Sequence, residues 1–133
     1  MKSDEEIMAE IEEAAAGLLL MSEADYPLEP LRLEGADEPD PVRLRELAGE
    51  AADAPVEVRG LEEFFRAAAS EPPWKAGVEL ALARRFQNLV RTLRENLADV
   101  RVYRVGEINM PVYVICKSSS GSWIGLSTRV VET

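Results

Sequence analysis

The chain has no histidine. That absence removes Ser-His-Asp and Cys-His nucleophilic catalysis in their usual forms, histidine proton shuttling, and most catalytic zinc sites. There is one cysteine, Cys116, with nothing in the chain to pair with, so an internal disulfide and the paired-thiolate zinc sites are excluded. Set in a run of strand-forming residues, it reads as a small buried apolar side chain. The eight glycines are scattered, and none falls in G-x-G-x-x-G or in a P-loop, which excludes nucleotide binding of those kinds. The longest apolar run, Ala14 to Met21, is too short to span a bilayer. The acidic start lacks the basic region of a secretory signal, so the expected location is cytoplasmic, with no membrane contact. Aromatics are few, and Trp74 and Trp123 are expected in core or edge packing with no platform for stacked bases.

Positive charge is also scarce. Fifteen Lys and Arg face 25 Asp and Glu, for a net charge of -10. Direct binding to nucleic acid needs a basic footprint that displaces counterions, so it is disfavoured. The imbalance is local: residues 1–72 hold 20 acidic and 6 basic side chains, whereas residues 73–133 hold 5 and 9. An acidic face suits a basic partner; the plainer reading is that surplus acid keeps a small protein soluble. At 133 residues the chain is the size of one domain, residues 1–133, able to bury a core without disulfide or metal.

What is present concentrates in the last third. Val100 to Thr133 reads VRVYRVG, then MPVYVICKSSS, then SWIGLSTRVVET: three strand-length runs rich in Val, Ile, Tyr and Thr, with no room between them for a helix. This predicts an antiparallel meander. In the last run Ile124, Leu126, Thr128 and Val130 alternate with Trp123, Gly125, Ser127 and Arg129, the period of a strand with two distinct faces. The sequence ends within three residues of Val130, so the carboxylate and hydroxyl of Thr133, beside Glu132, are expected to project from a rigid element.

Earlier in the chain, Ser3 and Glu6 form a capping box ahead of Ile7, Ile11, Ala14, Ala15 and Leu18, which predicts a helix over Asp4 to Ala16. Gly17 to Glu29, GLLLMSEADYPLE, reads as a helix end and structured turn. Leu28 to Leu33 is a short strand that Pro30 marks as an edge or as bent. Asp40 and Pro41 open a short helix over Val42 to Ala48. Val56 to Val58 is a further short strand, and Leu61, Phe64, Phe65 and Ala68 line one face of a helix ending near Ser70. After Pro72 and Pro73, Val78, Leu82, Phe86, Leu89, Val90, Leu93 and Leu97 form the stripe of the longest helix, about Trp74 to Leu97. Arg84, Arg85, Arg91 and Arg94 lie off that stripe and read as solvated or paired with the acidic half. Helices around a mostly antiparallel sheet predict an α+β fold, an α-β-α sandwich.

Carboxylates are abundant, but no acid pair or calcium loop is indicated; Asp37, Glu38 and Asp40 lack the Gly and closing Glu of an EF-hand. Two stretches have little structural reason to read as they do: the turn GLLLMSEADYPLE and the ending VYRVGE, PVYVI, GLSTRVVET. They resemble the nuclease A inhibitor family, small intracellular proteins that block a sugar-non-specific, magnesium-dependent endonuclease, and the resemblance runs from Glu6 to Thr133. It implies an α-β-α sandwich like that of the plant pathogenesis-related group 1 proteins. It also implies a mechanism in which the C-terminal Thr, here Thr133, presents its hydroxyl to the nuclease's metal in place of a water, while the Glu of the MSE turn, here Glu23, joins an acidic contact. A hard cation and a basic phosphate site accept such oxygen ligands, so the inhibitor acts as a decoy without a scissile bond. The loop from Gly35 to Ala54 and the Pro72-Pro73 break depart from the family's pattern.

From the residues alone, the plainer reading makes Glu23 a helix-end side chain satisfying nearby backbone, and Thr133 an exposed terminus with no role. With the resemblance, the expected partner-binding residues are Glu23, Thr133, Glu132, Ser22 and Asp25, with Thr133 meeting the partner's metal in the complex only. No catalytic residue and no cofactor of the protein's own is expected, and the free protein is expected to be a monomer. The alternative is a general protein-interaction module for another basic partner; an enzyme is the weakest reading.

Overall fold

A computed structural model describes residues 2–21, 24–34, 40–118 and 121–132. Helix α1 (Asp4–Ala15) begins as the capping box requires, with the Glu6 N–H donating to the Ser3 hydroxyl oxygen at 3.2 Å. Strands β1 (Leu19–Met21) and β2 (Asp25–Pro27) form a small antiparallel hairpin, followed by β3 (Glu29–Leu33). Helix α2 (Pro41–Ala48) is capped by Asp40, whose carboxylate accepts from the Arg43 N–H at 2.9 Å, and it ends on the left-handed Gly49. Strand β4 (Val56–Gly60) leads into α3 (Leu61–Ala69), then α4 (Gly77–Asn96), β5 (Arg101–Val105), β6 (Asn109–Lys117) and β7 (Trp123–Val131).

The expected meander is present: β5, β6 and β7 are neighbours, every pairing is antiparallel, and the five-stranded order is β3-β7-β6-β5-β4. Pro30 sits on the edge strand β3, the kind of strand in which a residue without an N–H is accommodated. Alternation along the strands divides the core in two. Val102, Val112, Val114, Cys116, Ile124, Leu126 and Val130 face α1, α3 and α4, packing with Ile11, Phe65, Leu89 and Leu93. Tyr103, Val105, Tyr113, Ile115 and Trp123 face the other way, under Leu44 of α2. The protein is an α+β chain folded as an α-β-α sandwich. Burying a side chain such as Phe65 or Leu93 completely stabilises the fold by about 1.5–3 kcal/mol each, so these layers hold the sheet rigid.

Three expectations are corrected. Leu19–Met21 and Asp25–Pro27 pair as strands where a helix end and turn were expected, because Leu18 and Leu20 are buried while Leu19 between them is 47% exposed. The long helix starts at Gly77, not Trp74: Pro72 to Lys75 forms a turn closed by the Lys75 N–H on the Pro72 carbonyl at 3.0 Å, and Ala76 is extended. Trp74 is therefore 70% exposed and takes no part in the core, and Val78, first in the apolar stripe, is 76% exposed because α4 meets the core only from Ala83 onward. Trp123 and Cys116 are buried as expected. The arginines beside the stripe are paired in part, Arg84 with Glu71 and Arg94 with Glu62, while Arg85 donates to the Ala16 carbonyl at 2.7 Å.

Candidate functional site

Both stretches singled out by the sequence are attached to β7. In the hairpin, Leu20 pairs with Tyr26 and Met21 with Asp25. The Thr128 hydroxyl of β7 donates to the Pro27 carbonyl at 2.9 Å, tying the hairpin's second strand to the middle of that long strand. Leu18, Leu20 and Leu28 are buried beneath it, so the hairpin is anchored from below as well. Ser22 and Glu23, which fall between its two strands in sequence, lie outside the described residues; Asp25 is exposed.

At the other end of β7, Val130 is buried, Val131 half-buried and Glu132 exposed. The strand's last ladder pair is Val131 with Asn109. One residue later the Glu132 N–H donates to the Ile108 carbonyl at 2.9 Å, and the Glu132 carboxylate meets Arg104 Nη2 at 2.8 Å. Thr133 lies outside the described residues.

These two regions, more than 100 residues apart in sequence, wall the same groove. It has a volume of about 1190 Å³; Leu19 and Leu20 of the hairpin and Val130, Val131 and Glu132 from the end of β7 line it, with Phe64 of α3 and Phe86 of α4. Two of its arginines are ion-paired, Arg104 with Glu132, and Arg59 with Glu57 and Glu63 at 2.7 and 2.9 Å, while Lys75 Nζ donates to the Ala67 and Ser70 carbonyls. Glu57 above all, with Glu63, pushes the Arg59 guanidinium above its ordinary value, against a smaller opposing effect of burial. Among the described residues no cluster of three or more acidic or cysteine side chains is placed to hold a metal ion. Nor is any helix among them long and apolar enough to cross a membrane.

Two features of the groove were missed by reasoning from sequence. Trp74 and Leu82 line it instead of filling the core. Arg104 was passed over, although a signal existed: in RVYRV it shares the inward parity of Val102, and a charge in an inward position of an apolar strand has to find a partner.

The fold and the groove define a small acidic α+β protein whose candidate site is a surface formed by a hairpin and a strand end, with no metal cluster of its own among the described residues. Residues 5–133 match the model of the nuclease A inhibitor-like family, NuiA, and the chain belongs to that family. The family implies a nuclease as protein partner and inhibition as the activity. A comparison with curated proteins finds no significant match.

Proposed function

We propose that this protein inhibits a sugar-non-specific, magnesium-dependent endonuclease by occupying its active site with the acidic turn that carries Glu23 and with the C-terminal Thr133. The observation that supports the reading is the shared groove: Leu19 and Leu20, which precede Ser22 and Glu23 in sequence, and Val130, Val131 and Glu132, which precede Thr133, line one cleft. Glu23, Ser22 and Asp25 supply carboxylates and a hydroxyl to a basic, phosphate-binding site. Thr133 offers a hydroxyl, a hard oxygen donor of the kind the partner's magnesium accepts. The net charge of -10 favours encounter with a basic cleft and disfavours binding the nucleic acid itself. The protein needs no cofactor, performs no catalysis, and acts as a cytoplasmic monomer until it meets its target.

The test is inhibition of a panel of magnesium-dependent endonucleases by the purified protein, by a form with one residue appended after Thr133, by a form lacking Thr133, and by Glu23→Ala. Circular dichroism is expected to show an unchanged fold in all three variants. The first two are expected to inhibit more weakly, and unchanged inhibition by both would dismiss the terminus as the working part. Glu23→Ala is expected to weaken binding by about 2–4 kcal/mol if its charge is desolvated at the interface; a loss below about 0.5 kcal/mol, typical of a rim charge, would remove it from the site.

A further inference from the structure

We propose that Arg104 is a positioning residue of the inhibitory site: it clamps Glu132 and thereby fixes where Thr133 is presented. The inference rests on the reading of Thr133 given under Proposed function. Arg104 stands on β5 facing the same layer as the buried Val102, and its side chain is only 9% exposed. From there it reaches across β6, where Nη2 passes 3.6 Å from the sulfur of Met110, to the Glu132 carboxylate just beyond β7 at 2.8 Å. Its Nε has no hydrogen-bond partner among the described residues.

The asymmetry of this pair gives it direction. The Arg104 side chain is 9% exposed in the wall of the groove, whereas the Glu132 side chain is 60% exposed. A guanidinium so buried cannot swing out to meet its partner, so the exposed carboxylate is drawn in to satisfy it. A pair with one member buried is screened far less by salt than two solvated charges. Residue 132 is thereby held twice, through its N–H on Ile108 and its carboxylate on Arg104, in a segment where the β ladder has already ended. Without the side-chain attachment, one backbone bond would hold the residue that precedes Thr133, and chain ends so attached fray. Glu132 therefore contributes by bonding within its own protein, and the contact with the nuclease falls to the residue it carries.

The experiment compares Arg104→Met, Arg104→Lys and Glu132→Gln with the unaltered chain, each with and without Thr133, by two readouts. The first needs no nuclease: amide hydrogen exchange at Glu132 is expected to quicken by about tenfold in Arg104→Met and Glu132→Gln and to be partly restored in Arg104→Lys. The second is the inhibition constant: both variants are expected to weaken inhibition by about tenfold when Thr133 is present and by less than about twofold when it is absent, because a residue that acts only through Thr133 has nothing left to position. Equal losses in the two backgrounds would overturn the proposal, since they would mean that Arg104 or Glu132 acts on the nuclease independently of the terminus. Unchanged Glu132 exchange in both variants would remove the clamp itself. Glu132→Gln, a change at an exposed side chain, keeps the test valid should Arg104→Met fail to fold. Absence of inhibition by the unaltered protein would remove instead the function on which the proposal rests, and the exchange readout separates that failure from failure of the clamp.

Discussion

Replacing Gly125 by alanine places a Cβ 1.8 Å from the Val114 carbonyl oxygen, 2.9 Å from the Val114 carbonyl carbon and 3.0 Å from the Ile115 Cα. All three atoms are backbone, so no side chain can turn aside. Ordinary contact begins near 3.4 Å, so β6 and β7 would have to separate locally by about 1.6 Å, whereas a hydrogen bond tolerates a few tenths of an ångström. Gly125 pairs with Ile115 on one side and Leu31 on the other, so the disturbance falls inside the sheet with no free edge to absorb it. Loss of two ladder bonds, with at least one buried carbonyl left unsatisfied, costs about 3 kcal/mol. At this chain length that is a fall in Tm of about 12 °C. Urea denaturation and thermal circular dichroism measure it, with Gly60→Ala as the control. A Cβ at Gly60 meets nothing within 4 Å, so that variant is expected within about 0.5 kcal/mol of the parent. A loss below about 1 kcal/mol in Gly125→Ala would refute the reasoning, because it would show that the two strands can part there without breaking their pairing.

Phe65 is fully buried between Phe64 and Phe86, so Phe65→Ala is expected to cost about 3–5 kcal/mol in urea denaturation. Trp74→Ala is expected to leave stability within about 0.5 kcal/mol, since its ring is mostly in solvent; a larger loss would return it to the core. Burial pushes the Cys116 thiol up, and the Asp99 carboxylate adds in the same direction. The folded state thus keeps a proton that the unfolded chain releases above about pH 8.5, so this contribution to stability is complete below that pH and is lost as pH rises through the folded value. Cys116→Ala is expected to flatten the fall in stability above about pH 8.5, and an unchanged slope would count against that assignment; Tyr113, also pushed up by burial, adds its own loss at higher pH.

How legible each part of the structure was depended on whether local pattern and tertiary role agreed. β5 to β7 could be read because β-branched composition and period-two alternation point the same way, and the inward set Ile124, Leu126 and Val130 is the set found buried. The starts of α1 and α2 could be read because Ser3 and Asp40 are local caps. The hairpin could not be. In GLLLM the outward Leu19 is as apolar as the inward Leu18 and Leu20, so alternation of burial leaves no alternation of hydropathy. The start of α4 was misplaced for a related reason: a periodic stripe says which face is apolar but not where the core beneath it ends, and Val78 and Leu82 continue the stripe into the groove. For the proposed site, the place of the terminal residues at the end of β7 was readable, whereas the tie of the hairpin to that strand through Thr128 was not. The groove was not, because it is made by the approach of segments whose separation in sequence leaves no local trace.

That approach bears directly on how tightly such an inhibitor binds. A surface assembled from two independently mobile segments would lose the freedom of both on meeting its target, and ordering costs of that kind subtract from every contact formed. Here the hairpin is fastened to β7 by Thr128 and by the leucines beneath it, and Glu132 is fastened to the end of the same strand. One paired strand, flanked by β3 and β6, therefore sets the distance between the two approaches before any partner arrives. On the proposed reading, free energy from the Glu23 and Thr133 contacts would go into affinity instead of into ordering the protein. Mutations that loosen β7 without touching either contact, such as Gly125→Ala, should then weaken inhibition at temperatures where the protein is still folded.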